Sequence, residues 1–84
     1  MNDMKQQVTY PQLSQKSDKG MLVAWHKEVG QPVTAGEVLY EVETEKAVHQ
    51  IESLYSGILA EVLKEEGEEL TNGDILALIE EVVS

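Results

Sequence analysis

Displacing the sequence by 37 places against itself lays Gly20–Glu43, "GMLVAWHKEVGQPVTAGEVLYEVE", over Gly57–Glu80, "GILAEVLKEEGEELTNGDILALIE". Nine of the 24 pairs are identical: Gly20/Gly57, Leu22/Leu59, Lys27/Lys64, Glu28/Glu65, Gly30/Gly67, Thr34/Thr71, Gly36/Gly73, Leu39/Leu76 and Glu43/Glu80. Average residue usage gives about one or two by chance. Others keep their character, as in Met21/Ile58, Val33/Leu70, Glu37/Asp74, Val38/Ile75 and Val42/Ile79. Two copies are too few for a solenoid. They fit two similar small sheets packed face to face about a pseudo-two-fold axis, with the recurring glycines in turns that need special backbone angles.

Strand and helix compete over "GDILALIEEVV" (73–83), where Asp74 could cap a helix. Its repeat partner "GEVLYEVE" (36–43) alternates and is richer in β-branched and aromatic residues, so both are read as strands. Residues 22–27 and 58–63 read as strands too, and 8–10 and 47–52 supply two more. Pro11 closes the first strand, and Pro32 is placed in the turn after Gly30. The expected organisation is a flexible tail over 1–7, one compact domain over 8–82 and a short C-terminal end over 83–84.

The 84 residues allow one small core and little room for an enzyme pocket. Six basic against 16 acidic residues give a net charge of −10, which argues against nucleic acid and anionic membranes as partners. No cysteine is present, so neither disulfides nor thiolate metal sites arise from the chain itself. No apolar run is long enough to span a bilayer, and Met1–Gln7 lacks a signal-like apolar region. A cytoplasmic or organelle-interior setting is the default.

The strand-like runs "YEVE" and "AVHQIE" meet around "TEK", which predicts a hairpin with Thr44, Glu45 and Lys46 at its tip. Read alone, Lys46 is a solvated turn lysine whose charged form Glu43 and Glu45 would favour; it is a poor nucleophile but an accessible amine for another enzyme to acylate. His26 and His49, even with Glu28 or Glu52, lack a metal-ligand spacing and read as strand-face residues; Trp25 reads as core.

Three segments resemble the lipoyl domains of 2-oxo acid dehydrogenase complexes, within the biotinyl/lipoyl carrier family: "YPQLSQKSDKG" (10–20), "VAWHKEVGQPVTAGEVLYEVETEKA" (23–47) and "YSGILAEVLKEEGEELTNGDILALIE" (55–80). The most specific part is "ETEKA", Glu43–Ala47, with Gly30 before it and Gly57 after it. The resemblance implies an all-β, flattened sandwich of two four-stranded antiparallel sheets. It also implies lipoic acid amide-linked to Lys46, with Glu43, Thr44, Glu45 and Ala47 read by the modifying enzyme and Gly30 and Gly57 as structural turns.

Implied partners are a lipoate ligase or lipoyl transferase, a thiamine-dependent decarboxylase, an acyltransferase core and a dihydrolipoyl dehydrogenase. The isolated domain is expected to be monomeric, in the cytoplasm or, in a eukaryote, the mitochondrial matrix. Glu45 stands where many lipoyl domains have aspartate, and Ser17 replaces a commonly apolar residue. No linker or catalytic domain follows Ser84, so the chain is expected to be either an excised domain or a free-standing carrier. The alternatives are a biotinyl carrier, whose lysine usually lies between methionines, and an unmodified interaction module of the same fold.

Overall fold

The computed structural model describes residues 2–11 and 19–83, and among them there is no helix. Eight strands follow in order: β1 (Asn2–Thr9), β2 (Lys19–Trp25), β3 (Pro32–Val33), β4 (Val38–Glu43), β5 (Val48–Glu52), β6 (Gly57–Val62), β7 (Glu69–Thr71) and β8 (Ile75–Val83). They form two antiparallel four-stranded sheets, β1-β8-β6-β3 and β5-β4-β2-β7. Exchanging the sheets maps β2 onto β6, β4 onto β8, β3 onto β7 and β5 onto β1.

The same exchange maps hydrogen bonds onto one another. The Gly30 amide donates to Leu59 O (2.8 Å), and the Gly67 amide to Leu22 O (2.7 Å). The Leu59 amide returns to Gln31 O (3.0 Å) and the Leu22 amide to Glu68 O (2.9 Å). Each half therefore clamps the other through a turn, and Gly30 and Gly67 hold that turn with φ of 96°, a region that costs any residue with a Cβ.

Gly57, expected in such a turn, does not have a positive φ. It begins β6 and is small for another reason: a Cβ there would run into the Glu80 carbonyl oxygen and lie 3.1 Å from Ile79 Cγ2. Its repeat mate Gly20 is in the same situation against Glu43 O (3.3 Å), Val42 Cγ2 (2.6 Å) and the Tyr10 hydroxyl (2.5 Å). Of the three glycine pairs, two serve backbone angle and one serves close approach.

Other expectations shift at the edges. The tail expected over 1–7 is, from Asn2 onward, part of β1 and pairs with β8 from Asn2↔Val83 to Thr9↔Ile75. Its polar sequence hid it, because an edge strand needs ladder bonds more than apolar side chains. Pro32 lies in β3 rather than in a turn, as the first residue of an edge strand, where a missing N–H is tolerated. Asp74 caps no helix: its carboxylate accepts the Thr71 amide (2.9 Å) in the turn before β8, as Glu37 accepts Thr34 (2.7 Å) before β4.

The core lies between the sheets. Leu22, Leu39, Tyr40, Val42, Leu59, Leu70, Leu76, Ala77 and Ile79 are fully buried, joined by Tyr10 and Val33. Leu22/Leu59 and Leu39/Leu76 are repeat mates, so the identities found by displacement are in large part core and turn positions. Trp25 packs partly buried against this core, its ring centroid 5.4 Å from that of Tyr40, and its Nε1–H donates to Lys64 O (2.9 Å).

Candidate functional site

β4 and β5 are consecutive and paired from Val38↔Glu52 to Glu43↔Val48, so the residues between them, Thr44 to Ala47, close a tight hairpin. The Thr44 amide donates to Ala47 O (2.9 Å) and shuts the loop. The Thr44 hydroxyl organises the inside of the tip: its Oγ1 lies 3.3 Å from Ala47 O, 3.2 Å from His49 Nε2 and 3.4 Å from the Lys46 amide that donates to it. Thr44 is half-buried, while Glu45, Lys46 and Ala47 are exposed. No Asn-Gly or Asp-Gly marks this turn; a threonine side chain adds its own hydrogen bonds to the backbone bond that closes it.

Among the described residues no ion pair reaches Lys46 Nζ. Among the described residues, Glu43 and Glu45 stand near it in sequence and form no ion pair with it. The amine is thus held out by an ordered backbone and left free in its side chain. His26 belongs elsewhere, its Nε2 2.9 Å from Glu41 Oε2, and Gln50 Nε2 donates to the same oxygen at 3.3 Å. These hydrogen bonds, that of His26 foremost, lower the Glu41 pKa. The two histidines have separate partners, and among the described residues no three His, Cys, Asp or Glu side chains cluster as a metal-binding set.

Below the tip, the pairings Val48↔Glu43, Glu43↔Met21 and Met21↔Glu69 run one row across the outer face of the sheet. Val48 is 54% and Met21 42% exposed, so the surface beside Lys46 alternates apolar and acidic groups. A charged cleft of about 330 Å³ adjoins it, lined by Lys19, Met21, Glu43, Glu45 and Glu69.

Of the residues read from the sequence, Glu43, Thr44, Glu45, Lys46 and Ala47 come together at the hairpin, and Gly30 and Gly57 do not. Gly30 serves the clamp onto β6, and Gly57 abuts Glu80 of β8, its neighbour in the sheet that does not carry the hairpin. The residue that seats the hairpin's base is Gly20, against Glu43 O, and Tyr10 fills the space beside it. The repeat itself could have found Gly20, through its match to Gly57. Nothing in the sequence pattern singled out His49 as the partner of Thr44. Ser17 lies outside the described residues.

Comparison with known proteins agrees with this fold. A family model described as "Biotin-requiring enzyme", the biotin/lipoyl attachment family, matches residues 6–79. The chain belongs to this family. Its fold matches the solution structure of the lipoyl domain of the 2-oxoglutarate dehydrogenase complex from Azotobacter vinelandii, with a TM-score of 0.71 and 27% identity over 87% of this chain and 92% of that one.

Among curated relatives, the pyruvate dehydrogenase complex protein X component, mitochondrial, of Saccharomyces cerevisiae is 41% identical over 86% of this chain and 18% of its own length. A mitochondrial dihydrolipoyllysine-residue acetyltransferase component of the pyruvate dehydrogenase complex of Arabidopsis thaliana is 40% identical over 87% of this chain and 14% of its own. The succinyltransferase component of the Azotobacter vinelandii 2-oxoglutarate dehydrogenase complex is 34% identical over 74% and 16%. The biotin/lipoyl family domain described here spans less than a fifth of each of these relatives.

Proposed function

We propose that this chain is a lipoyl carrier domain whose Lys46 carries lipoic acid in amide linkage and moves acyl groups and electrons between active sites of a 2-oxo acid dehydrogenase complex. The observation that carries this is the exposed Lys46 amine, unpaired among the described residues, on a hairpin fixed by Thr44. Lysine amide formation needs access and a defined backbone pose rather than a binding pocket, and the site offers both. When bound, the lipoyl group supplies the disulfide chemistry, which suits a chain without cysteine. The chain's own residues present it: the hairpin fixes the point of attachment, and the lysine stem leaves the reactive end mobile.

Such a tether raises the effective concentration of the reactive group at each partner within reach. The partners we assign are a lipoate ligase or lipoyl transferase for loading, then a thiamine-dependent decarboxylase, an acyltransferase core and a dihydrolipoyl dehydrogenase in turn. The relatives named above, parts of pyruvate and 2-oxoglutarate dehydrogenase complexes, support that setting. Among the described residues no helix is long and apolar enough to cross a membrane.

Biotin is the rival cargo, and Glu45 and Ala47, in place of methionines beside Lys46, speak against it. Intact mass of the protein made in a host supplied with lipoate decides the matter. One lipoyl-sized increment is expected, lost entirely in Lys46→Ala. A biotin-sized increment, or none with active ligase present, would refute the assignment.

A further inference from the structure

The Thr44 hydroxyl has one proton to give and three neighbours within reach: Ala47 O (3.3 Å), His49 Nε2 (3.2 Å) and the Lys46 amide (3.4 Å). The carbonyl can only accept and the amide can only donate, whereas an imidazole nitrogen does either, so the count of bonds decides the role of the ring. With a bare Nε2, His49 competes with Ala47 O for the single hydroxyl proton, and two of the three contacts are bonds at any one time. With Nε2–H the ring donates to Oγ1, the hydroxyl proton goes to Ala47 O, and all three are bonds together. Thr44 and His49 are both half-buried, where an unmade hydrogen bond is less readily replaced by water than at the exposed tip.

The other sheet contains the same pairing in different residues. The exchange that maps β5 onto β1 carries His49↔Val42 onto Gln6↔Ile79, and it carries Thr44, which follows Glu43, onto Glu81, which follows Glu80. There Gln6 Nε2 donates to Glu81 Oε1 at 3.0 Å, so the edge-strand residue is the donor and its neighbour the acceptor. We propose that His49 is a positioning residue of the carrier site. As an Nε2–H donor it holds the Thr44 hydroxyl in the orientation that bonds Ala47 O and receives the Lys46 amide, and it thereby fixes the backbone from which Lys46 is offered to the loading enzyme. The step from backbone to loading rests on the lipoyl reading above; the hydrogen-bond assignment does not.

The test measures loading of Lys46 by purified lipoate ligase in the 84-residue chain and in His49→Gln and His49→Leu, each with and without Thr44→Val. His49→Leu should lower kcat/KM roughly three- to tenfold, the worth of one hydrogen bond, and mainly through KM. His49→Gln, which copies the Gln6 donor, should recover most of that loss. Without the Thr44 hydroxyl, His49→Leu should have no further effect, because the ring acts through that oxygen. Two readouts need no cofactor. The Lys46 amide should exchange its hydrogen several-fold faster in His49→Leu but not in His49→Gln, and long-range proton–nitrogen spectra at about pH 8.5, above the ordinary imidazole pKa, should show His49 with its proton on Nε2. A wild-type chain that is never loaded refutes the lipoyl reading, and His49 is then judged on exchange and spectra alone. A proton on Nδ1 instead, Lys46 exchange unchanged in His49→Leu, glutamine no better than leucine, or a loss undiminished in the Thr44→Val background would each overturn the proposal.

Discussion

Thr44 carries more of the site than its neutrality suggests, because one hydroxyl meets Ala47 O, His49 and the Lys46 amide at once. Replacing it with valine keeps the shape and removes those bonds, so Thr44→Val should slow lipoylation of Lys46 several-fold while the melting temperature changes little; loading rates measured with purified ligase check this. Gly20 and Gly57 separate folding from presentation. A side chain at either meets a backbone carbonyl, and each valine substitution should cost about 1–3 kcal/mol in denaturant titration, more if the strands cannot shift. Loading at saturating stability should then fall only for Gly20→Val, whose obstructed carbonyl is Glu43 at the hairpin's base. A positive φ cannot be read from a glycine letter alone. Gly30 and Gly57 look alike in the sequence, and only the neighbouring strands tell angle from crowding.

The sequence pattern found β2, β4, β6 and β8, which have buried faces, and the alternating edge strand β5; those it missed or shortened, β1, β3 and β7, are edges too. β3 and β7 are two and three residues long, too short for any period, and most of β1 is polar. The turns before β4 and β8 are the best-matched elements, each with a carboxylate accepting an amide three residues back and a lysine opposite, Lys27–Glu37 at 3.3 Å and Lys64–Asp74 at 3.9 Å. The amide bonds, from Thr34 and Thr71, are the main reason that Glu37 and Asp74 have lowered pKa values. Groups with a depressed folded pKa contribute stability that is complete above the unfolded value, about 4, and is lost as pH falls through the lower folded value. Melting temperature should therefore hold between pH 7 and about 5 and fall below about 4. Glu37→Gln with Asp74→Asn should flatten that fall, as thermal melts across the range would show.

At the scale of the whole chain, equivalence between halves is itself testable. Gly30→Ala and Gly67→Ala force the same φ of 96° on a residue with a Cβ and strain the same kind of clamp, so each should cost about 1–2 kcal/mol, and the two costs should agree. A large difference in chemical unfolding would show that one clamp dominates. Displacement by 37 made the two sheets legible in the sequence, and the strand-like runs on either side of "TEK" made the lysine hairpin so, but neither gave the exchange that pairs the sheets, because β1 stands before the first repeat and completes the second sheet. There, the pair Lys5↔Glu80 corresponds to Val48↔Glu43, and the ladder runs on to Asn2↔Val83 where the first sheet turns back through Thr44–Ala47. A bridge copied from Thr44–Ala47 and spliced between Glu80 and Lys5 would make the chain a closed ring bearing two acceptor amines, one per sheet, and so a carrier with twice the cargo on an unchanged frame.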